Sequence, residues 1–353
     1  RKTDTRKIFA MKVVRKATLV HKAKHVQHAK AEADILRLVQ HPFIVKLYYT
    51  FQTPGKLYLI LEYIPGGELF FHLVNELSLD EDCVAFYTAE LTLALAHLHS
   101  LGVIFRDLKP ENIMLDARGH IKLTDFGLAK EALGEQRADG ERARTFCGTP
   151  EYLAPEVVSG LSSGCASANT SEAGVNSEAG GSDICRQPYG AAVDWWSLGT
   201  LMFEMLTGEP PFKHKDRRKL YDKILKGKIP QPKYATESCK NLLKRLMNRN
   251  PTARLGSGLK GPEDIKSHRF FAKVDWSTLL LKRNRAPIRP KIGKLSTDHS
   301  NFDKSFTSMP PMDSPGHLPL EGPGVDDLFS NFSFENTSIS PAARDTPSFS
   351  PAL

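Results

Sequence analysis

Two short segments of this chain contain the residue types that phosphoryl transfer needs. Residues 105–112 read FRDLKPEN, and residues 125–127 read DFG. Because each residue type fills roughly one position in twenty, eight fixed letters match by chance on the order of 10⁻¹⁰ per window. A charged surface turn, the ordinary alternative, does not require these letters in this order. The two segments therefore predict a phosphoryl-transfer site.

Four side chains in these segments have predicted roles. Asp107 is the candidate base that accepts the proton of a substrate hydroxyl, and Lys109 would stabilise the transferring phosphoryl group. Asn112 and Asp125 offer hard oxygen ligands for Mg²⁺. The chemistry predicts ATP and Mg²⁺ as cofactors.

A possible ion pair between Lys12 and Glu32 fits the same chemistry. Lys12 lies between apolar neighbours in a predicted strand, and Glu32 lies about twenty residues later in a predicted helix. Such a pair holds the α- and β-phosphates of ATP in enzymes that transfer phosphate to proteins. Taken alone, Lys12 would be interpreted as a solvent-exposed lysine in a strand. The motifs at residues 105–112 and 125–127 favour a role in binding phosphate instead.

Three further charged residues are predicted to support the site. Glu156 follows Ala154-Pro155 and needs a buried cationic partner, for which Arg254 is the candidate. Asp194 enters an apolar helix, where an isolated charge would be costly. We therefore expect Asp194 to bond the backbone of the loop that contains Asp107.

The composition of the chain is that of a folded protein and does not indicate a membrane span or a disulfide framework. The chain has 353 residues, 41% of them hydrophobic and 25% charged, which is ordinary for a folded soluble protein. No apolar run approaches the roughly 20 residues that cross a bilayer, and the first residues lack an apolar signal core. The five cysteines are scattered without metal-site spacing. We expect an intracellular protein with free thiols and no membrane span.

The formal net charge of +8 raises the question of nucleic acid or acidic lipid as a ligand. The dense basic run Lys282–Lys294 is interrupted by Pro287 and Pro290, and no aromatic residue interleaves with it. This pattern favours a solvated linker. We expect no direct contact with nucleic acid.

The first part of the chain predicts a strand, helix, strand lobe over residues 1–63. Ile8–Val14 and Leu57–Tyr63 are short, apolar and rich in β-branched or aromatic residues, which favours strands. Apolar residues at helical spacing predict a helix over Ala31–Val39.

A mainly helical lobe is predicted over residues 64–271. From Glu81 onward the apolar residues follow helical spacing. Ile121–Thr124 alternates as a strand, and Trp195–Leu206 is apolar nearly all round, which predicts a buried helix that ends at Gly208.

Two segments break this order. Ser159–Ser182 is almost entirely small or polar, so it predicts a disordered insertion, which we bound at residues 159–188. Residues 272–353 are rich in Pro and Ser and predict a C-terminal tail. The aromatic residues of the tail favour wrapping around the lobes over floating free.

A glycine-rich loop that covers the nucleotide is expected before Lys12, but residues 1–11 contain no glycine. We therefore expect a truncated N-lobe that lacks its first strands and this loop. Gly256–Gly261 has the letters of such a loop but follows no predicted strand, so we interpret it as a structural loop. The missing loop leaves an alternative open, a catalytically silent fragment or a pseudokinase-like binding module.

Further motifs resemble a particular kinase family. Residues 145–152 read TFCGTPEY and residues 329–334 read FSNFSF, both of which are similar to the AGC group of serine/threonine kinases. Within that group, KIFAMK at residues 7–12, GHIKLT at 119–124 and MDSP at 312–315 look most like the ribosomal S-six kinases of the seventy-kilodalton type.

This resemblance implies an α+β, two-lobed protein kinase fold with a regulatory C-terminal tail. It implies that Ala10 and Met114 pack on the adenine ring, while Glu62 and Ile64 bond adenine through their backbone. Together with Lys12, Glu32 and Asp125, these residues would form the ATP site.

The resemblance also implies a site for basic protein substrates, including ribosomal protein S-six. Glu68, Glu111 and Glu204 would bind arginines upstream of the target serine. The activity implied is an ATP-dependent serine/threonine protein kinase in growth and nutrient signalling.

Three phosphorylation sites are implied as well: Thr145 in the activation loop, Ser314 in the turn motif and Ser333 in the hydrophobic motif. A phosphate on Thr145 would pair with Arg106 and Lys130 and so order its loop.

The resemblance further implies upstream partners, a phosphoinositide-dependent kinase acting on Thr145 and the target-of-rapamycin complex acting on Ser333. We expect a monomer in the cytoplasm, with a nuclear share left open.

Overall fold

The computed structural model describes residues 7–20, 23–76, 78–131, 149–162, 190–293, 297–310 and 327–336. Their strands are β1 Phe9–Arg15, β2 Leu47–Gln52, β3 Lys56–Glu62, β4 Val103–Ile104, β5 Ile113–Leu115, β6 Ile121–Leu123, β7 Lys130–Glu131 and β8 Phe334–Glu335. Their α-helices are α1 Lys16–Val20, α2 Ala23–Leu38, α3 Leu69–Glu76, α4 Glu81–Ser100, α5 Pro155–Ser162, α6 Ala192–Thr207, α7 Arg217–Lys226, α8 Glu237–Leu246, α9 Glu263–Lys266, α10 Trp276–Leu280 and α11 Lys304–Thr307. Within these residues no helix combines the length and apolar character needed to cross a membrane.

The chain divides into two compact units. The first combines residues 1–75, 110–129 and 275–353, and the second combines residues 76–109 and 130–274. The lobe boundaries inferred from the sequence, at residues 63 and 271, stay a prediction.

A four-stranded antiparallel sheet forms the core of the first unit, in the order β1-β3-β2-β8. Both predicted strands are present, each within one residue of its predicted ends. Leu57, Leu59 and Ile60 of β3 are buried, and β3 is paired along both of its edges, with β1 and with β2. The register pairs Lys12 of β1 with Leu59, which fixes the position of the lysine along the sheet.

Helix α2 begins eight residues before the predicted start at Ala31. Its buried face carries Ala33, Ile35 and Leu36 together with the carboxyl of Glu32. The additional first turns contain mostly polar residues, so apolar periodicity could not reveal them.

The end of the tail completes the sheet. Strand β8 pairs with β2, and the amide of Asn336 donates to the carbonyl of Tyr48 at 2.9 Å. Phe329 and Phe332 are 0% and 3% exposed. The carbonyl of Phe332 accepts hydrogen bonds from Thr50 and Arg37. In the described residues the tail therefore packs on the sheet, as its aromatic residues favoured.

Two long helices form the centre of the second unit. Asp80 caps α4 by accepting from the amide of Cys83 at 2.7 Å. Helix α6 is buried along most of its length, and it ends at Gly208, whose φ of 79° suits glycine. Trp196 of α6 packs in an apolar cluster with α5 and α7.

The predicted insertion begins later than the sequence indicated. Residues 159–162 continue α5, and the Ser159 hydroxyl donates to the carbonyl of Pro155 at 2.9 Å. The boundary at Ser159 was wrong because the apolar face of α5 packs in the cluster around Trp196 and supports a further helical turn. Residues 163–188 of the predicted insertion lie outside the described residues.

A bidentate ion pair fixes α5 in the second unit. Both guanidinium end nitrogens of Arg254 donate to the carboxylate of Glu156, at 2.6 and 2.8 Å. Arg254 also donates to the carbonyls of Asn248 and Ala192. Its side chain is 0% exposed, so the charge depends on these acceptors.

Removing the cation alone should destabilise the protein strongly. We expect Arg254→Met to lower the free energy of unfolding by about 3–5 kcal/mol, because Glu156 keeps a largely buried charge without its partner. Denaturant titration measures this. The Arg254→Met/Glu156→Gln double variant should recover part of the loss, and strictly additive effects of the two single changes would contradict the coupling.

Truncating one tail phenylalanine should release the tail locally. Phe332→Ala removes a buried ring, and a cost of about 3 kcal/mol corresponds to roughly hundredfold faster hydrogen exchange at the amide of Asn336. The matched control is Ser333→Ala, since Ser333 is exposed. Equal exchange rates in the two variants would show that the Phe332 ring does not hold the strand.

Candidate active site

The first unit brings three predicted site residues together. The ammonium of Lys12 contacts Glu32 Oε1 at 2.7 Å and Asp125 Oδ1 at 3.1 Å. Glu32 is supplied by α2, and Asp125 follows β6 with a φ of 57°. The two carboxylates hold the lysine from two different elements.

Charge interactions at this point favour the ionised lysine. Burial alone would lower the pKa of Lys12, but the charges of Glu32 and Asp125 outweigh it and raise that pKa. Burial raises the pKa of the Glu32 carboxyl, and the ammonium of Lys12 opposes this effect. Given the 2.7 Å contact, we consider the pair ionised at neutral pH.

Asn112 and Asp125 offer the right donor chemistry for Mg²⁺. The carbonyl of Asn112 accepts from the amide and hydroxyl of Thr124, the residue before Asp125. The side chain of Asp125 is 53% exposed. The described residues contain no group of three His, Cys, Asp or Glu side chains placed for a metal. Mg²⁺ needs only one or two protein carboxylates when phosphates and water complete its shell, so these residues fit it.

The residues implied for adenine lie on the same unit. Ala10 pairs with Leu61 across the β1–β3 ladder, and Ile64 is 3% exposed just beyond β3. Met114 in β5 forms a bridge with Glu68. The amide of Glu62 already donates to the carbonyl of Lys46 at 2.9 Å. The amide of Glu62 is therefore already occupied, a limit that the sequence did not reveal.

Residues of the tail form hydrogen bonds with the segment that follows β3, and these contacts were not predicted from the sequence. The hydroxyl of Tyr63 donates to the carbonyl of Asp298. The side-chain amide of Asn301 donates to the carbonyls of Pro65 and Lys291, at 3.0 and 2.9 Å. The only sequence signal was the polar and aromatic run around Asn301 within an otherwise Pro- and Ser-rich tail.

The second unit carries the candidate base. Asp107 is 7% exposed, and its Oδ2 lies 3.0 Å from the ammonium of Lys109. Arg106, the residue before Asp107, has a φ of 70°, which is unusual for a residue with a side chain. The backbone at Arg106 therefore needs support from its surroundings.

Asp194 provides this support. Its carboxylate accepts from the amides of Phe105 and Arg106, at 2.9 and 2.8 Å, and lies 2.7 Å from His99 Nε2. Asp194 is fully buried, so these three contacts compensate for its desolvation. The contacts to the loop backbone are those predicted. His99 was not predicted as a partner of Asp194, because its position in α4 gave no signal beyond helical spacing.

Two of the carboxylates implied in substrate binding influence each other. Burial, and then the neighbouring charge of Glu111, raise the pKa of Glu68. Such a pair of acids attracts a cation, which would relieve their repulsion. Glu204 lies in the second unit, where it accepts a hydrogen bond from the hydroxyl of Tyr152.

Of the three predicted phosphorylation sites, Ser333 lies within the described residues. Thr145, Ser314 and the side chain of Lys130 lie outside the described residues. Ser333 is exposed between the buried Phe332 and the half-buried Phe334. The guanidinium of Arg37 lies 5.2 Å from the Phe334 ring centre.

The sequence matches two family models. The protein kinase domain matches residues 1–176 and 181–271, and the protein kinase C terminal domain matches residues 296–334.

Similar curated proteins include ribosomal protein S6 kinases. Ribosomal protein S6 kinase beta of Caenorhabditis elegans is 47% identical over 338 residues, which cover 96% of this chain and 56% of that protein. Ribosomal protein S6 kinase alpha-2 of Homo sapiens is 47% identical over 337 residues, 96% of this chain and 41% of that protein. The chain thus spans about half the length of the curated relatives it matches.

The matched domains account for the mixed fold, with its small sheet and long helices, and for the tail that packs on it. They confirm the resemblance inferred from residues 145–152 and 329–334. The chain belongs to the protein kinase family and carries the C-terminal domain of the AGC group.

Proposed function

We propose that this chain transfers the terminal phosphoryl group of ATP to serine or threonine hydroxyls of basic proteins. The observation that carries the proposal is the contact of Lys12 with both Glu32 and Asp125. A lysine held by two carboxylates keeps its charge and a fixed position for phosphate, and Asp125 stays accessible to a metal.

Each remaining residue has a distinct part in this reaction. Asp107 accepts the hydroxyl proton of the substrate, and Lys109, which lies beside it, stabilises charge on the transferring group. Asp194 positions Asp107 through the backbone amides of the loop. Mg²⁺, held by Asn112 and Asp125, would neutralise phosphate charge when bound.

The proposed substrates carry arginine upstream of the phosphorylated residue. Glu68 and Glu111 support this because their interaction favours a cation between them. Glu204 is proposed as a third contact. The similar curated proteins are named ribosomal protein S6 kinases, and we infer that ribosomal protein S6 is among the substrates.

Regulation by phosphorylation is part of the proposal. A phosphoinositide-dependent kinase would modify Thr145, and the target-of-rapamycin complex would modify Ser333 in the docked tail. Ser314 is a third proposed site. We further propose that the protein acts as a monomer in the cytoplasm, with a share in the nucleus.

Replacing the base should lower turnover strongly and leave nucleotide binding intact. We expect Asp107→Asn to lower the phosphate incorporated into an arginine-containing serine peptide by about 10²–10⁴-fold, because proton acceptance is lost. ATP and Mg²⁺ should still raise the melting temperature of the variant. The control is Asp222→Asn, an exposed aspartate of α7. Undiminished turnover would refute the role of Asp107, and binding without turnover in the unmodified protein would favour the silent module.

Neutralising the acidic pair should weaken the selection for arginine. We expect Glu68→Gln/Glu111→Gln to raise KM about tenfold or more for a peptide with upstream arginine, because two charge-assisted contacts are lost. The KM for the matching alanine peptide should not change. Glu237→Gln is the control, since Glu237 is an exposed acid on α8. An equal change for both peptides would contradict a role in recognition.

A further inference from the structure

Positive charge is concentrated on and around helix α7. Residues 213–228 contain eight lysines and arginines but only two aspartates, which leaves six net positive charges in a chain whose total is +8. The linker run Lys282–Lys294 is comparably basic, but Lys282 is paired with Asp116 at 2.9 Å. We call the eight lysine and arginine side chains of residues 213–228 the α7 basic surface. They are Lys213, Lys215, Arg217, Arg218, Lys219, Lys223, Lys226 and Lys228.

Helix α7 holds this charge in a fixed orientation. Leu220 and Ile224 are 1% and 0% exposed and pack in the apolar cluster that includes Trp196. Lys219, Lys223 and Lys226 follow at i, i+4 and i+7, so they form a row along an exposed side of the helix, next to the buried face. All eight basic residues are exposed.

Lys223 and Lys226 lie in the last turn of α7, where positive charge is favourable, but the backbone groups at both ends of the helix are bonded by residues outside the α7 basic surface. Asp216 caps the N-terminus by accepting from the amides of Arg218 and Lys219, at 2.8 and 3.3 Å. At the C-terminus, Arg249 donates to the carbonyls of Ile224, at 2.7 Å, and Gly227. Arg217 and Arg218 even lie at the helix end that favours negative charge.

Within the described part of the chain, few acids balance the surface. Lys213 pairs with Glu209 at 3.4 Å, and Lys223 donates to the carbonyl of Lys213 at 3.0 Å. No other ion pair joins these eight residues to a described carboxylate. Because like charges at i, i+4 repel each other, the row Lys219, Lys223 and Lys226 weakens the free helix. An acidic ligand would relieve this repulsion.

We propose that the α7 basic surface binds an acidic segment of a protein partner. Asp222 lies on the same outward face, four residues from both Arg218 and Lys226. A peptide can place its separated carboxylates on either side of Asp222, whereas a continuous row of phosphates in a nucleic acid would meet that carboxylate directly. A membrane is also disfavoured, since the apolar residues Leu220 and Ile224 are buried and cannot insert.

The test is direct binding of the full chain to a fluorescein-labelled peptide of alternating glutamate and serine, measured by anisotropy. We expect the Lys219→Gln/Lys226→Gln/Lys228→Gln variant to bind about tenfold more weakly, because several exposed ion pairs are lost together. Binding by the unmodified chain should weaken as ionic strength rises.

The matched control removes three exposed lysines elsewhere, Lys244→Gln/Lys260→Gln/Lys304→Gln, and so keeps the same net charge. It should bind the peptide as the unmodified chain does. Equal weakening in both variants, or no binding by the unmodified chain, would overturn the proposal. The proposal would also be overturned if phosphatidylserine vesicles or a single-stranded oligonucleotide bound more tightly than the peptide and the α7 variant lost that binding. The surface would then be assigned to that ligand.

Discussion

The candidate base depends on a carboxylate that has no contact with solvent. Asp194 is fully buried, and its charge is compatible with that position because Phe105, Arg106 and His99 contact its oxygens. The same contacts hold Arg106 in a left-handed backbone conformation that it would otherwise leave readily. Asp107 follows immediately, so its orientation derives from the second unit's central helix. A change in the packing of α6 would therefore alter the loop that contains Asp107.

In the first unit, a positively charged side chain likewise depends on fixed partners. Lys12 is a strand residue whose ammonium is held by one carboxylate from α2 and another from the segment after β6. Helix α2 also contacts the end of the tail, because Arg37 donates to the carbonyl of Phe332. Residues near position 300 support the chain after β3 through Asn301. The nucleotide side of the proposed site thus relies on residues more than two hundred positions later in the chain.

Local patterns predicted strands β1, β3 and β6 and helices α4 and α6, since each has a strong apolar period or a clear ending. Strand β2 was not recognised, although Leu47–Gln52 is rich in aromatic residues; it pairs with β3, which begins four residues after β2 ends, with a register irregularity, and with β8 near the end of the chain. The two-residue strand β8 has no local signal at all, and only its pairing with β2 makes it a strand. The start of the insertion was misplaced because apolar content cannot show where a packed helix stops.

The sequence by itself determined the candidate chemistry: which side chains are of types that accept a proton, hold phosphate or bind Mg²⁺, and which acids and bases need partners. These properties belong to side-chain types and to motifs of a few residues, so they can be inferred without a tertiary structure. Tertiary structure alone decided that the amide of Glu62 is already occupied, that His99 contributes to holding Asp194, and that the lysines of α7 form an exposed row. Each of these depends on distances between elements and on which helix face is buried, and such quantities exist only once the chain has packed.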